Sequence, residues 1–347
     1  MDRVSQRRTM MKENIYLALK ILLSFGLIGF IFYKTDIDSL LVRMQSVNIY
    51  WLALMLLLPH MNIVLSSIKW QWLLNALGIS VRLPQLVSLY MIGTFFSNFL
   101  PSMVGGDVVR TFQLSRDTRE TASVIAATFA ERFCGVTALI SFFFLVLIHQ
   151  DIYTLFPSIS GLALLVLIGY CTIILLIFKQ KDLGFLASLR RLKILGKTLE
   201  ILEESHLKLI QYKDKKQTIV ASYFISVLFY MIGMCTVFVA AQSLDIEIDV
   251  KVISIVIPLV LLIGLLPISL GGLGLNEGSY VFFFTMFGAT EIKLPTLAAW
   301  ACRADILQIT GATYAARLML RRRNSRRESG SVAVGVPSAS GAIVASG

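Results

Sequence analysis

The chain has 347 residues, of which 56% are hydrophobic and 15% charged, whereas a soluble domain sits nearer half apolar and a quarter charged. That balance excludes a soluble protein and points to an integral membrane protein. The net charge of +11 would suit nucleic acid, but Lys and Arg gather at the N-terminus, in residues 179–216 and in the tail from Arg317, where cytoplasmic loops of multispanning proteins carry them.

Apolar stretches long enough to cross a ~30 Å hydrocarbon core occupy residues 15–33, 51–68, 122–148, 158–178, 219–244 and 294–318. Residues 1–14 form a basic N-terminus. The stretch after it lacks an A-x-A cleavage site, so it reads as a retained first helix. Charge then sets direction. Residues 149–157 hold no Lys or Arg, whereas 179–216 holds ten against five acids, so 158–178 runs from outside to inside. It follows that 122–148 runs from inside to outside, and that the loop with Arg110, Arg116 and Arg119 is cytoplasmic. Two crossings from a cytoplasmic N-terminus also put 69–84 inside.

Residues 85–100 therefore begin and end on one side of the membrane, and must enter and turn back. The turn lies in Leu100-Pro101-Ser102-Met103-Val104-Gly105-Gly106. In the second half, 219–244 exits to an acidic segment with Asp245, Glu247 and Asp249, and the last span must end before Arg317 and Arg321 inside. Residues 252–288 thus also begin and end on one side. Their turn repeats the pattern L-P-x-x-x-G-G as Leu266-Pro267-Ile268-Ser269-Leu270-Gly271-Gly272, followed by Gly274. A re-entrant hairpin and a pair of broken full spans both suit this longer segment.

The expected architecture is an all-α polytopic membrane protein of about six full transmembrane helices and two re-entrant or broken hairpins. Its halves, 15–148 and 149–320, form an inverted repeat. Irregular backbone at membrane depth is tolerated only where protein buries it or water reaches it, and in inverted repeats such breaks flank the substrate site. Pro101, Gly105, Gly106, Pro267, Gly271, Gly272 and Gly274 are the expected turn or hinge residues. Residues 183–216 place leucines every three or four positions among Arg and Lys, which suits either an amphipathic helix on anionic lipid or a plain helical linker. Residues 321–347 read as a basic, Ser/Gly-rich disordered tail.

Charged groups inside apolar spans cost on the order of 3 kcal/mol each and need partners or water. They are Glu131 and Arg132 in the 122–148 span and Arg303 and Asp305 in the last. Neighbours one or two apart on a helix do not face each other, so their partners must come from other elements. Either a transport path or an ion-pair lock between the halves would use them. At the turns, Asp107 and Asn276 are natural N-cap residues. A helix N-terminus behind glycines suits a phosphate, to which Arg110 would add a bidentate contact. Alternatively Asp107 pairs with Arg110 at i,i+3. Glu277 follows Asn276, and Asn98 and Ser102 are the polar residues flanking the first proline.

Signals for catalysis or cofactors are missing. Cys134, Cys171, Cys235 and Cys302 lie in apolar segments without disulfide or zinc spacing, and His60, His149 and His206 are dispersed. No dinucleotide, Walker, G-x-S-x-G or H-E-x-x-H motif occurs. Neither an enzyme nor a cofactor is expected.

The segment from Asn98 to Arg110, the Glu131-Arg132 pair, and the segment from Leu266 to Gly278 together resemble the lysylphosphatidylglycerol synthase transmembrane region, also called the flippase-like domain family. The likeness spans about residues 12–320. It implies movement of polar-headed lipids between leaflets, with lipid aminoacylation confined to a separate soluble domain that is not expected here. The implied headgroup path comprises Asn98, Ser102, Asp107, Arg110, Glu131, Arg132, Asn276, Glu277, Arg303 and Asp305. The implied partners are anionic or polyprenyl-phosphate membrane lipids in the cell membrane, with both termini cytoplasmic. Service to a glycosyltransferase or lipid synthase, or transport of a small solute, are the alternative roles.

Overall fold

The computed structural model describes residues 49–97, 105–149, 161, 167–170, 172, 196–243, 246–264 and 274–287. Among them there is no strand. The helices are α1 (Ile49–Ala76), α2 (Leu83–Ser97), α3 (Gly105–Thr118), α4 (Thr121–His149), α5 (Gly196–Ile210), α6 (Lys216–Ser243), α7 (Val250–Gly264) and α8 (Leu275–Met286), with a 3-10 turn at Gln211–Asp214. Three of these, α1, α4 and α6, are long and apolar enough to cross a membrane. The all-α membrane architecture read from composition is the one observed. The expected spans at 15–33 and 294–318, and nearly all of 158–178, lie outside the described residues.

Two apolar clusters divide the three long helices into layers. One gathers Trp70, Leu73 and Leu74 of α1 with Val124, Ala127 and Ala130 of α4. The other gathers Met55 of α1 with Phe143 of α4 and Val239, Ala240 and Ala241 of α6. Between these layers, at mid-height, the same helices turn polar: Asn62, Ser66 and Lys69, then Glu131 and Arg132, then Ser226 and Tyr230. The order of the layers along each helix makes α1 antiparallel to α4 and α6, the relative sense that alternating loop charge demands.

The short helices form two hairpins. α2 carries Leu86 and Leu89 in the first layer and reaches the polar level at Gly93 and Ser97. α3 leaves that level at Gly106 and Asp107 and returns to the first layer at Leu114. The second hairpin does the same from the opposite side. α7 is buried in the second layer from Ile253 to Val260 and reaches the middle at Leu261, and α8 leaves at Asn276 and returns by Phe283 and Phe284. As described, α7 has 15 residues and α8 has 12. Residues 265–273 between them lie outside the described residues, so a re-entrant hairpin and a pair of broken spans both suit 252–288, and the described ends of both helix pairs meet at mid-height.

Glycine makes the first hairpin close. A Cβ on Gly93 would stand 2.8 Å from the Gly106 carbonyl oxygen, and one on Gly106 would collide with the Gly93 carbonyl and the Ser97 hydroxyl. Side chains at this crossing would hold the arms apart.

One boundary differs from expectation. Residues 69–76 were expected in a loop, but α1 runs through to Ala76. Lys69 and Gln71 end the apolar window without ending the helix, because each finds a partner: Lys69 donates to Ser226 Oγ at 3.2 Å and Gln71 to the Val81 carbonyl at 2.7 Å. The turn comes only at Gly78, in the left-handed region at φ +84°. Of the amphipathic segment, 183–195 lies outside the described residues. The rest is α5, packed on α4, and the 3-10 turn, where Tyr212 donates to the Leu73 carbonyl at 2.8 Å.

Candidate functional site

At mid-height, five ionised groups from three helices meet. Arg110 of α3 is only 1% exposed. Its guanidinium lies 2.7 Å from Glu131 Oε2 and 3.0 Å from Asp107 Oδ1. It also rests against two rings, with Cζ 4.4 Å from the Trp70 centroid and 4.0 Å from that of Tyr90, a cation–π arrangement worth about 0.5–2 kcal/mol per ring. Glu131 accepts a further bond from the Tyr90 hydroxyl, and Lys69 Nζ stands 3.6 Å away. Arg132 points about 100° around α4 from Glu131 and grips Asp107 instead, with Nη2 2.6 Å from Oδ1.

Three cations thus share two carboxylates. A charge buried without a partner costs several kcal/mol, so each pairing here is close to obligatory. Arg132 has 52% of its side chain exposed and borders a cavity of about 500 Å³, whose lining also includes a third carboxylate, Glu277. The cavity lies between the hairpins, bounded by Gly106, Asp107 and Arg110 on one side and by Asn276, Glu277 and Tyr280 on the other. Its wall also holds unsatisfied polar atoms. Among the described residues, Arg110 Nη1, Asn62 Oδ1 and Asn276 Oδ1 find no hydrogen-bond partner. Such atoms are costly unless a ligand or water meets them.

The structure brings six of the ten expected path residues to one cavity: Asp107, Arg110, Glu131, Arg132, Asn276 and Glu277. Asn98, Ser102, Arg303 and Asp305 lie outside the described residues, as do Pro101, Pro267, Gly271 and Gly272. Three expectations need correction. Asp107 is not an N-cap: α3 already begins at Gly105, and the carboxylate serves two arginines, including the expected i,i+3 partner Arg110. Asn276 is not an N-cap either. Gly274 takes that position at φ 75°, and its N–H is met by the Glu277 carboxylate at 2.7 Å. Arg110 is too buried for a broad bidentate contact; one nitrogen is available, and Arg132 offers the open face.

Lys69, Tyr90 and Trp70 were missed. Lys69 stands at the edge of an apolar window and passes for a loop residue, and aromatic residues are common in membrane helices. The available signal was the surplus of unpaired charge at Glu131, which demanded a cation from elsewhere. Among the described residues, the ion pairs all fall within the first half: Lys69, Asp107, Arg110, Glu131 and Arg132. Hydrogen bonds across the halves include Lys69 with Ser226, Tyr212 to the Leu73 carbonyl, and Tyr230, which donates to the Gly135 carbonyl at 3.1 Å. Among the described residues, no group of three His, Cys, Asp or Glu is placed to hold a metal ion.

The chain belongs to the family of the lysylphosphatidylglycerol synthase transmembrane region, whose model matches residues 17–300. It is similar to a UPF0104 membrane protein of Methanocaldococcus jannaschii, at 24% identity over 310 residues, covering 85% of this chain and 90% of the relative. A UPF0104 membrane protein of Methanothermobacter thermautotrophicus is 26% identical over 305 residues, covering 81% and 85%. A second from that organism is 23% identical over 261 residues, covering 69% and 76%. No solved structure matches the chain.

Proposed function

We propose that this member of the lysylphosphatidylglycerol synthase transmembrane-region family moves a phosphate-bearing, polar-headed lipid between leaflets. The headgroup passes through the mid-height cavity while the chains stay in the bilayer. One observation carries the reading: Arg132, paired with Asp107 on one side, is held half open at a cavity between the two pairs of short helices. Placing it there is expensive in a membrane interior, and a phosphate would give its open side a second anionic partner. Asn62 Oδ1 and Asn276 Oδ1 would accept from hydroxyl or amine groups on the same headgroup. Glu131, which Lys69 also approaches, holds Arg110 and need not touch the lipid. The role is transport and not catalysis, and the membrane is the cell membrane with both termini cytoplasmic.

The test uses proteoliposomes loaded with labelled phosphatidylglycerol or a short polyprenyl phosphate, with leaflet exposure read by an impermeant quencher. The wild-type chain should equilibrate at least one of them between leaflets. Arg132→Gln should slow that exchange ten- to a hundredfold, the worth of one charge-assisted contact, while inserting normally. Undiminished exchange in Arg132→Gln overturns the assignment of the headgroup path. If the wild-type chain moves neither lipid but co-purifies with a glycosyltransferase, it is a membrane subunit of that enzyme. Uptake of a soluble phosphate ester would make it a solute transporter.

A further inference from the structure

A second cavity, of about 320 Å³, opens on another face of the α4 turns that carry Glu131 and Arg132. It lies where the linker between the halves meets the start of α6. Phe129 and Phe133 of α4, Leu209 of α5 and Val220 of α6 make an apolar groove, and Lys213 and Lys216 stand at its mouth. Phe129 and Val220 are 47% and 53% exposed, so the groove faces outward from the helix bundle. Tyr212 lines it too, tied to α1 by its bond to the Leu73 carbonyl, so one wall is held rigidly.

We propose that this groove binds one anionic phospholipid, with an acyl chain along Phe129 and Val220 and its phosphate at Lys213 and Lys216. Apolar walls alone would not select it, because lipid tails are as apolar as the side chains they would replace. Selection comes from the mouth. Lys216 is the first residue of α6, at the boundary where headgroups lie, and Val220 is one turn deeper. Between 213 and 216 three lysines face a single acid, Asp214. Such lysines attract anionic headgroups by about fivefold each. The site is separate from the translocation cavity and independent of the function proposed for it. A lipid seated here braces the back of the helix that presents Arg132.

Native mass spectrometry of the delipidated full-length protein, titrated with phosphatidylglycerol or phosphatidylcholine of identical chains, tests this. The wild-type chain should hold one phosphatidylglycerol about thirtyfold more tightly than phosphatidylcholine. Lys213→Gln/Lys216→Gln should abolish the preference. Val220→Trp, which fills the groove and keeps both lysines, should weaken both lipids. Retention of the preference in Arg132→Gln separates this site from the translocation cavity. Equal binding of the two lipids by the wild-type chain overturns the proposal. So does a preference lost in Arg132→Gln but kept in the double lysine variant, or a groove that takes neither lipid because another segment of the chain covers it.

Discussion

Removing the Arg110 guanidinium, as in Arg110→Leu, should be the most damaging single change at the cavity, and the structure indicates by how much. The side chain is 1% exposed and serves two carboxylates, at 2.7 Å and 3.0 Å. Asp107 would still have Arg132, but Glu131 would keep only the Tyr90 hydroxyl and an ammonium at 3.6 Å. Breaking a buried pair on one side costs about 3–5 kcal/mol because a charge is left uncompensated. Loss of the Trp70 and Tyr90 contacts adds about 1 kcal/mol or more. The variant should therefore fold poorly or unfold at much lower temperature in detergent. Glu131→Gln alone strands Arg110 less severely, since Asp107 remains, and should cost about 2–3 kcal/mol. The double variant Arg110→Leu/Glu131→Gln removes both ends of the pair. It should cost at least about 2 kcal/mol less than the sum of the singles. Unfolding by steric trapping in bicelles measures all three. Additive costs, or a cost below about 1 kcal/mol for Arg110→Leu, would refute the claim that this pair is buried and coupled.

Gly93→Ala should open the first hairpin. Its Cβ would meet backbone 2.8 Å away, overpacking that typically costs about 1–3 kcal/mol, visible as lower thermal stability and slower lipid exchange. Gly274→Ala should cost about 1–2 kcal/mol because φ 75° suits glycine alone at little cost, read by thermal unfolding; stability equal to wild type would count against the backbone argument. Tyr212→Phe deletes one buried hydrogen bond to Leu73 and should lower stability by about 1 kcal/mol, read by chemical denaturation, without altering the charge-dependent behaviour of the cavity.

Much of the fold was legible because a membrane imposes a simple solvent rule. A segment either is apolar over enough length to cross or is not, and loop charge then orders the crossings; α4 and α6 follow directly from this. The same parity argument requires 85–100 and 252–288 each to begin and end on one side, as a re-entrant hairpin or, for the longer segment, as a pair of broken spans. Glu131 and Arg132 stood out for the same reason, being costly wherever lipid surrounds them. Helix ends were less legible. The windows that located α1 measure hydropathy, whereas helix termination depends on backbone hydrogen bonding. Thus Lys69 and Gln71 remain helical, and Asp107 sits inside its helix and not at the cap.

Sequence alone determined that the chain lives in a bilayer and that charged residues stand inside its apolar segments. These are local properties, each set by the transfer energy of a short segment. Tertiary structure alone decided which charges meet. Arg110 reaches Glu131 across 21 positions, Arg132 reaches Asp107 across 25, and Lys69 reaches Ser226 across 157. Those partnerships depend on how hairpins entering from opposite layers pack against three long helices, and no periodicity in the chain encodes the distance between them. Which cation is sealed, at Arg110, and which is left open to the cavity, at Arg132, follows from that packing.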